Sequence, residues 1–246
     1  DKLFEAIMYT SRVSIDKDPA EEWKKHTKTL EDHSKIMNDY NFKKLHFKNQ
    51  LGTDLEVELV ENHIWAGGGE NGGNGIYFVP NIPTEEVFTM PHRNGVNGKV
   101  FSTKPLNYQG NLIRDFYFVF KDGKVVDYNA KEGYEALKSL VELDEGSSRL
   151  GEVALISNNS PISNLNILFN DTLFDENAAC HLALGASFAE CVSNGEAMSV
   201  EELEEAGLNQ SREHVDFMIG TEDLSIIGTD KNGKEIVIFK DGDFAI

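Results

Sequence analysis

Cysteine is nearly absent: Cys180 and Cys191 are the only two in 246 residues. Such a pair builds neither a disulfide framework nor a cysteine-ligated zinc site, and free thiols fit a reducing, cytoplasmic setting. Basic residues are scarce beside acidic ones, 23 Lys and Arg against 42 Asp and Glu, leaving a formal charge of -19. Phosphate backbones are gripped by basic patches, so a surface of this sign excludes nucleic acid as the expected partner. No run approaches the ~20 apolar residues of a membrane span and no signal-peptide core opens the chain, so no membrane partner is expected. An initiator methionine is missing too. The chain begins Asp1-Lys2-Leu3-Phe4, which reads as the interior of a longer polypeptide. Apolar residues make up 40%, enough to exclude a disordered chain and to fill one large domain or two modest ones.

Helix and strand periods alternate irregularly. Asp18-Pro19 is a helix start, and Trp23, Leu30 and Met37 recur on one face, predicting a helix over 19–39. His26 and His33 share that spacing but sit among Lys24, Lys25 and Lys28, which predicts solvated side chains. From Lys43 the period becomes two, with strands at Leu45-His46-Phe47 and Leu55 to Leu59. The stretch Gly67 to Gly75 lacks the Gly-Lys-Ser/Thr ending of a phosphate-cradling loop, which excludes nucleotide binding there. It reads as a flexible turn or as a mobile loop over a site. Lys121-Asp122-Gly123 predicts a hairpin, Lys131 to Leu143 an amphipathic helix, and Gly151 to Ile156 a short apolar strand. Asn177 to Val192 reads as a buried helix, Met198 to Leu203 as the start of an acidic one, and the end as strands with a hairpin at Asn232-Gly233. The expected class is α+β, mixed and largely antiparallel, with packed helices. A helical lead-in is expected over 1–44, ahead of the main domain over 45–246.

Surface acids are plentiful, so the informative ones lie within apolar segments, where a charge must be paired or bound to a metal. His214 and Asp216, two apart on a strand, project to one side, as a metal chelate or, the reading these residues alone favour, a hydrogen-bonded pair on a solvated face. His181 lies in a buried Ala/Leu run. Glu176 is expected at a helix N-terminus, where the macrodipole steadies a carboxylate. Glu152 enters an apolar strand, and of Glu85 and Glu86 at most one faces a shared site. Imidazole mixed with carboxylate suits zinc, cobalt or manganese. Five or six such ligands exceed one tetrahedral ion and suit two ions ~3.5–4 Å apart.

At these residues the sequence resembles the M29 family of metalloaminopeptidases, of the aminopeptidase T and aminopeptidase S type. The matching stretches are Asn81 to Thr89, Asp144-Glu145-Gly146 with Leu150 to Leu155, Leu173 to Ala178 with His181, and His214 to Gly220. They follow the family's order and spacing over nearly the whole chain. The resemblance implies metal ligands at Glu86, Glu152, His181, His214 and Asp216, with Glu86 preferred to Glu85 by its spacing to Glu152. It implies catalytic roles for Glu152, bridging or beside the reactive water, and for Glu176 close by. It also implies two divalent ions (zinc first, then cobalt, manganese or magnesium), peptide substrates with a free N-terminus, and a homodimer. The family usually carries a longer N-terminal part and often a Tyr seven residues after the His matched by His181, where this chain has Phe188. Those departures support a competing expectation: a metal-stabilised structural or interaction module with weakened catalysis.

Overall fold

The computed structural model describes all residues, Asp1–Ile246. It is a mixed α+β architecture in which every strand pairing is antiparallel. A nine-stranded sheet orders its strands Lys124–Glu132, Asn111–Lys121, Pro91–Phe101, Asp54–Leu59, Lys44–Lys48, Ser225–Thr229, Glu235–Lys240 and Asp243–Phe244, with Leu106–Tyr108 attached to Asn111–Lys121. A five-stranded sheet runs His214–Met218, His181–Gly185, Leu150–Leu155, Val87–Thr89 and Ala66–Gly67. The two meet through one apolar core. Leu45 and Phe47 of one strand and Leu55 and Val57 of the next all point into it, as period-two alternation requires.

Two helices precede the first strand. Helix α1 covers Lys2–Thr10, and α2 covers Pro19–Tyr40 with Asp18 accepting from the Ala20 N–H. Leu30 and Met37 are the buried apolar face of α2, and no helix is long and apolar enough to cross a membrane. His26 and His33 are not solvated as expected. His33 stacks on Phe244 with ring centroids 3.9 Å apart, and the His26 ring is enclosed between Arg12 and Thr84. The strand Lys124–Glu132 runs past the expected helix start, so α3 covers only Tyr134–Val141.

The largest departure is Asn177 to Val192. His181–Gly185 is a strand, hydrogen-bonded to Leu150–Leu155 on one side and His214–Met218 on the other. A short apolar run carries no periodicity that separates a buried helix from a central strand, and flanking strands decide it. Three brief helices surround this sheet: α4 at Pro161–Leu165, α5 at Thr172–Glu176 and α6 at Val200–Glu205.

The five-stranded sheet has two chemically distinct faces. Val153, Leu155, Leu182, Leu184 and Phe217 enter the core, where Phe217 lies 5.0 Å from Phe118 and 6.1 Å from Phe116 by ring centroid. Phe217→Ala is expected to cost ~3–5 kcal/mol through lost burial and the cavity left behind. Chemical denaturation of the metal-free chain checks this, and a loss below ~1 kcal/mol would show the site sheet does not depend on that contact.

Candidate metal centre

The opposite face of the five-stranded sheet gathers the acids and imidazoles. Register explains how. Glu152 stands opposite Ala183, which stands opposite Asp216, while Gly185 faces His214 and Ala154 faces His181. Ala183 and Gly185 therefore leave open space between the longer side chains on either side. On the next strand Phe88 pairs with Ala154, so Phe88, and Glu86 two residues earlier, belong to this face as well.

A bulge aims Glu152. Register shifts between Leu150 and Glu152, leaving Gly151 unpaired. Without it Leu150 and Glu152, two apart, would share a face; with it Leu150 enters the core and Glu152 the site. Only glycine fits at 151, because a Cβ there would lie 2.3 Å from the Ala186 carbonyl oxygen and 2.4 Å from that of Gly185.

The ligand-type atoms converge in two groups that share Glu152. Glu86, Glu152 and His181 form one, and Glu152, His214 and Asp216 the other; within each, the atoms lie within 4.8 Å of one another. His214 Nε2 is 2.9 Å from Glu152 Oε2 and 3.3 Å from Asp216 Oδ1, and His181 Nε2 is 3.3 Å from Glu86 Oε2. Both histidines are oriented from behind. His214 Nδ1 donates to the Ala186 carbonyl at 2.7 Å and His181 Nδ1 to that of Ala179 at 3.2 Å. A carbonyl only accepts, so each neutral ring keeps its Nε2 lone pair for the cluster, the orientation that ligating imidazoles require.

The electrostatics call for a cation. Glu152 is 5% and His181 1% exposed, yet six carboxylates (Glu70, Glu86, Glu152, Glu176, Glu190 and Asp216) line one cleft with both histidines. Burial raises the Glu152 carboxyl above its ordinary value, His214 opposes that, and Glu86 adds to it. Glu176 is pushed up to about 8, first by burial and then by the Asp216 charge. Burial alone would lower both imidazoles, but surrounding carboxylates outweigh it and raise His181 to about 10 and His214 to about 11. Asp216 is held low despite burial by the imidazoles beside it, and its Oδ1 makes no well-formed hydrogen bond. A cleft whose carboxylates outnumber its imidazoles, with a buried carboxylate oxygen that makes no well-formed hydrogen bond, fits divalent ions.

The structure separates the sequence candidates clearly. Glu86, Glu152, His181, His214 and Asp216 come together, and Glu176 lines the same cleft. Glu85 turns the other way, onto Arg12 at 2.5 Å. Glu176 is not at a helix start. It is the last residue of α5, whose N-cap is Asp171, so the helix dipole opposes its charge instead of steadying it. The cleft holds about 440 Å³, with Phe88, Phe188, Glu70, Glu190 and the backbone of Gly67 to Gly69 among its walls. Of these, Glu70 and Glu190 carried no sequence signal, whereas Phe88 follows from its period-two relation to Glu86.

Comparison with known proteins identifies a family. A family model described as thermophilic metalloprotease (M29) matches residues 1–244. Aminopeptidase 2 of Geobacillus stearothermophilus is 51% identical over 245 residues, covering 100% of this chain and 59% of its own length. Aminopeptidase AmpS of Bacillus subtilis (strain 168) is 47% identical over 243 residues, with 99% and 59% covered. The solved structure of wild-type AmpT from Thermus thermophilus matches with a TM-score of 0.91 at 39% identity, over 100% of this chain and 58% of that one. The chain thus spans about three fifths of the length of the curated relatives it matches. With family-wide similarity running nearly end to end and the ligand-type residues of its motifs meeting on one sheet face, the chain belongs to the M29 family of metalloproteases.

Proposed function

We propose that this chain forms the catalytic part of a metalloaminopeptidase that releases N-terminal residues from peptides. The observation that carries the reading is the sharing of Glu152 by two ligand groups whose histidines are both anchored through Nδ1. Glu86, Glu152, His181, His214 and Asp216 would hold two divalent ions, with zinc the first choice for this donor set and cobalt, manganese or magnesium the alternatives. When bound, such ions supply Lewis acidity and bring the pKa of a coordinated water toward ~7.

The remaining steps belong to the protein's own groups. Glu176 lies in the cleft but outside both ligand groups. A carboxyl placed there, beside the ligands but not among them, suits a group that takes a proton from water and returns it to the leaving amine. Glu70 and Glu190 in the cleft wall favour a cationic amino terminus, consistent with an exopeptidase. A cytoplasmic setting goes with unpaired, buried Cys180 and Cys191, and homodimer assembly is carried over from the family resemblance.

Metal removal tests the reading. The purified chain is expected to contain stoichiometric zinc, cobalt or manganese, and to release the first residue of a short peptide in a single turnover. Chelation should abolish release and divalent ion restore it. Equal release before and after chelation would overturn the proposal. The second reading, a metal-stabilised module without turnover, draws on Phe188, which offers the cleft an apolar ring where the resemblance implies a phenol. Under it, metal raises the melting temperature and no peptide is cleaved.

A further inference from the structure

We propose that Arg12 is a positioning residue for the metal centre, acting through Glu85 to set the direction of Glu86; the inference rests on the metal-binding reading above. Arg12 lies just beyond α1, with φ at 56°, in the left-handed region that side-chain-bearing residues seldom occupy. There its guanidinium forks onto Glu85, Nη1 to Oε1 at 2.5 Å and Nη2 to Oε2 at 2.8 Å. The guanidinium is seated 5.4 Å from the Trp23 ring, and its Nη2 donates to His26 Nδ1 at 3.0 Å. Both rings are anchored in turn: Trp23 Nε1 donates to the Ser11 carbonyl at 2.8 Å, and His26 Nε2 to that of Thr84 at 2.7 Å.

The segment before Glu86 is therefore gripped on backbone and side chain alike. His26 holds the Thr84 carbonyl, Arg12 holds the Glu85 carboxylate, and the Glu85 N–H donates to Asn177 Oδ1 at 2.8 Å. Consecutive residues of an extended segment point to opposite sides, so drawing Glu85 toward Arg12 turns Glu86 into the cleft toward His181. Asn177 is fully buried and follows Glu176 directly, so the same brace reaches a second cleft acid. Charge adds a further effect. Glu85 is 7% exposed, and without Arg12 its carboxylate would keep only His26, with Nε2 3.6 Å away, beside an acid-rich site. A buried ion pair is poor evidence of stability, since desolvation offsets much of its attraction. Retaining one on a strained backbone, next to a ligand, fits a role in geometry.

The test is Co2+ titration of the full chain, following visible absorption for both affinity and ligand geometry, with a thermal melt of each metal-free variant. Arg12→Met is expected to weaken Co2+ binding by about 10–100-fold, as loss of an orienting partner does, and to alter the visible spectrum. Arg12→Lys keeps the charge but not the fork, and should bind more weakly than the parent at an unchanged melting temperature. In the double variant Arg12→Met/Glu85→Leu, exchanging a buried pair for apolar residues tends to preserve the fold, yet binding should stay weak. If Arg12→Lys and the double variant bind Co2+ with the parent's affinity and spectrum, the pair only holds the fold and the proposal falls. Failure of the unsubstituted chain to bind Co2+ would instead sink the metal reading itself.

Discussion

Glu152→Gln is expected to reduce the metal content of the purified chain and, with it, to lower the rate of peptide cleavage by at least about 10–100-fold, the range for disturbing a metal centre. Glu152 alone belongs to both ligand groups, so its charge is the one neither ion site can replace. Gln keeps the shape and can still meet His214, now 2.9 Å away, so the sheet should not rearrange. The metal-free variant should melt near the parent's temperature, because two effects oppose. Burial and Glu86 raise the Glu152 carboxyl in the folded chain, so its charge opposes folding above its ordinary titration range, while the same charge raises and steadies the His214 imidazole. Activity falling while stability holds or rises is the signature of a group kept for function. Elemental analysis, single-turnover kinetics and a melt of the chelated proteins decide the matter. Parental metal content together with parental rate in the variant would remove Glu152 from the site.

Phe188→Tyr should act in the opposite direction. The Phe188 ring lines the cleft, 4.6 Å from the His214 ring and 6.2 Å from that of Phe88. It is 38% exposed, so a phenolic hydroxyl is expected to fit without repacking. The family resemblance implies a Tyr here. A donor added where negative charge develops is worth about 10²–10³ in kcat, with KM nearly unchanged, because the interaction forms only in the transition state. Metal affinity and melting temperature should stay at parental values. A rate rise of that size would eliminate the module without turnover. No rise, with metal bound and cleavage measurable, would show that another donor already serves the reaction.

Local chemistry made several features legible before any tertiary contact was considered. Asp122 and Gly123 both take positive φ, 49° and 79°, as the hairpin between Asn111–Lys121 and Lys124–Glu132 demands. His214 and Asp216 share a face because a strand's period is two, whatever lies beside it. Glu85 and Glu86 must diverge for the same reason. What local chemistry could not say is which of them turns toward the site. That choice depends on Arg12, 73 residues earlier in the chain.

The sequence by itself determined the α+β class, the antiparallel pattern and the family, since turn chemistry, short-range periodicity and motif spacing are carried by near neighbours. Tertiary structure alone decided that His181 lies on a strand, that Glu176 ends a helix, that a bulge at Gly151 turns Glu152 to the cleft, and that Arg12 claims Glu85. Three of these rest on partners far away in the chain: the strands flanking His181, the carbonyls of Gly185 and Ala186 against Gly151, and Glu85 against Arg12, and burial by distant segments overrides what a short window of residues prefers.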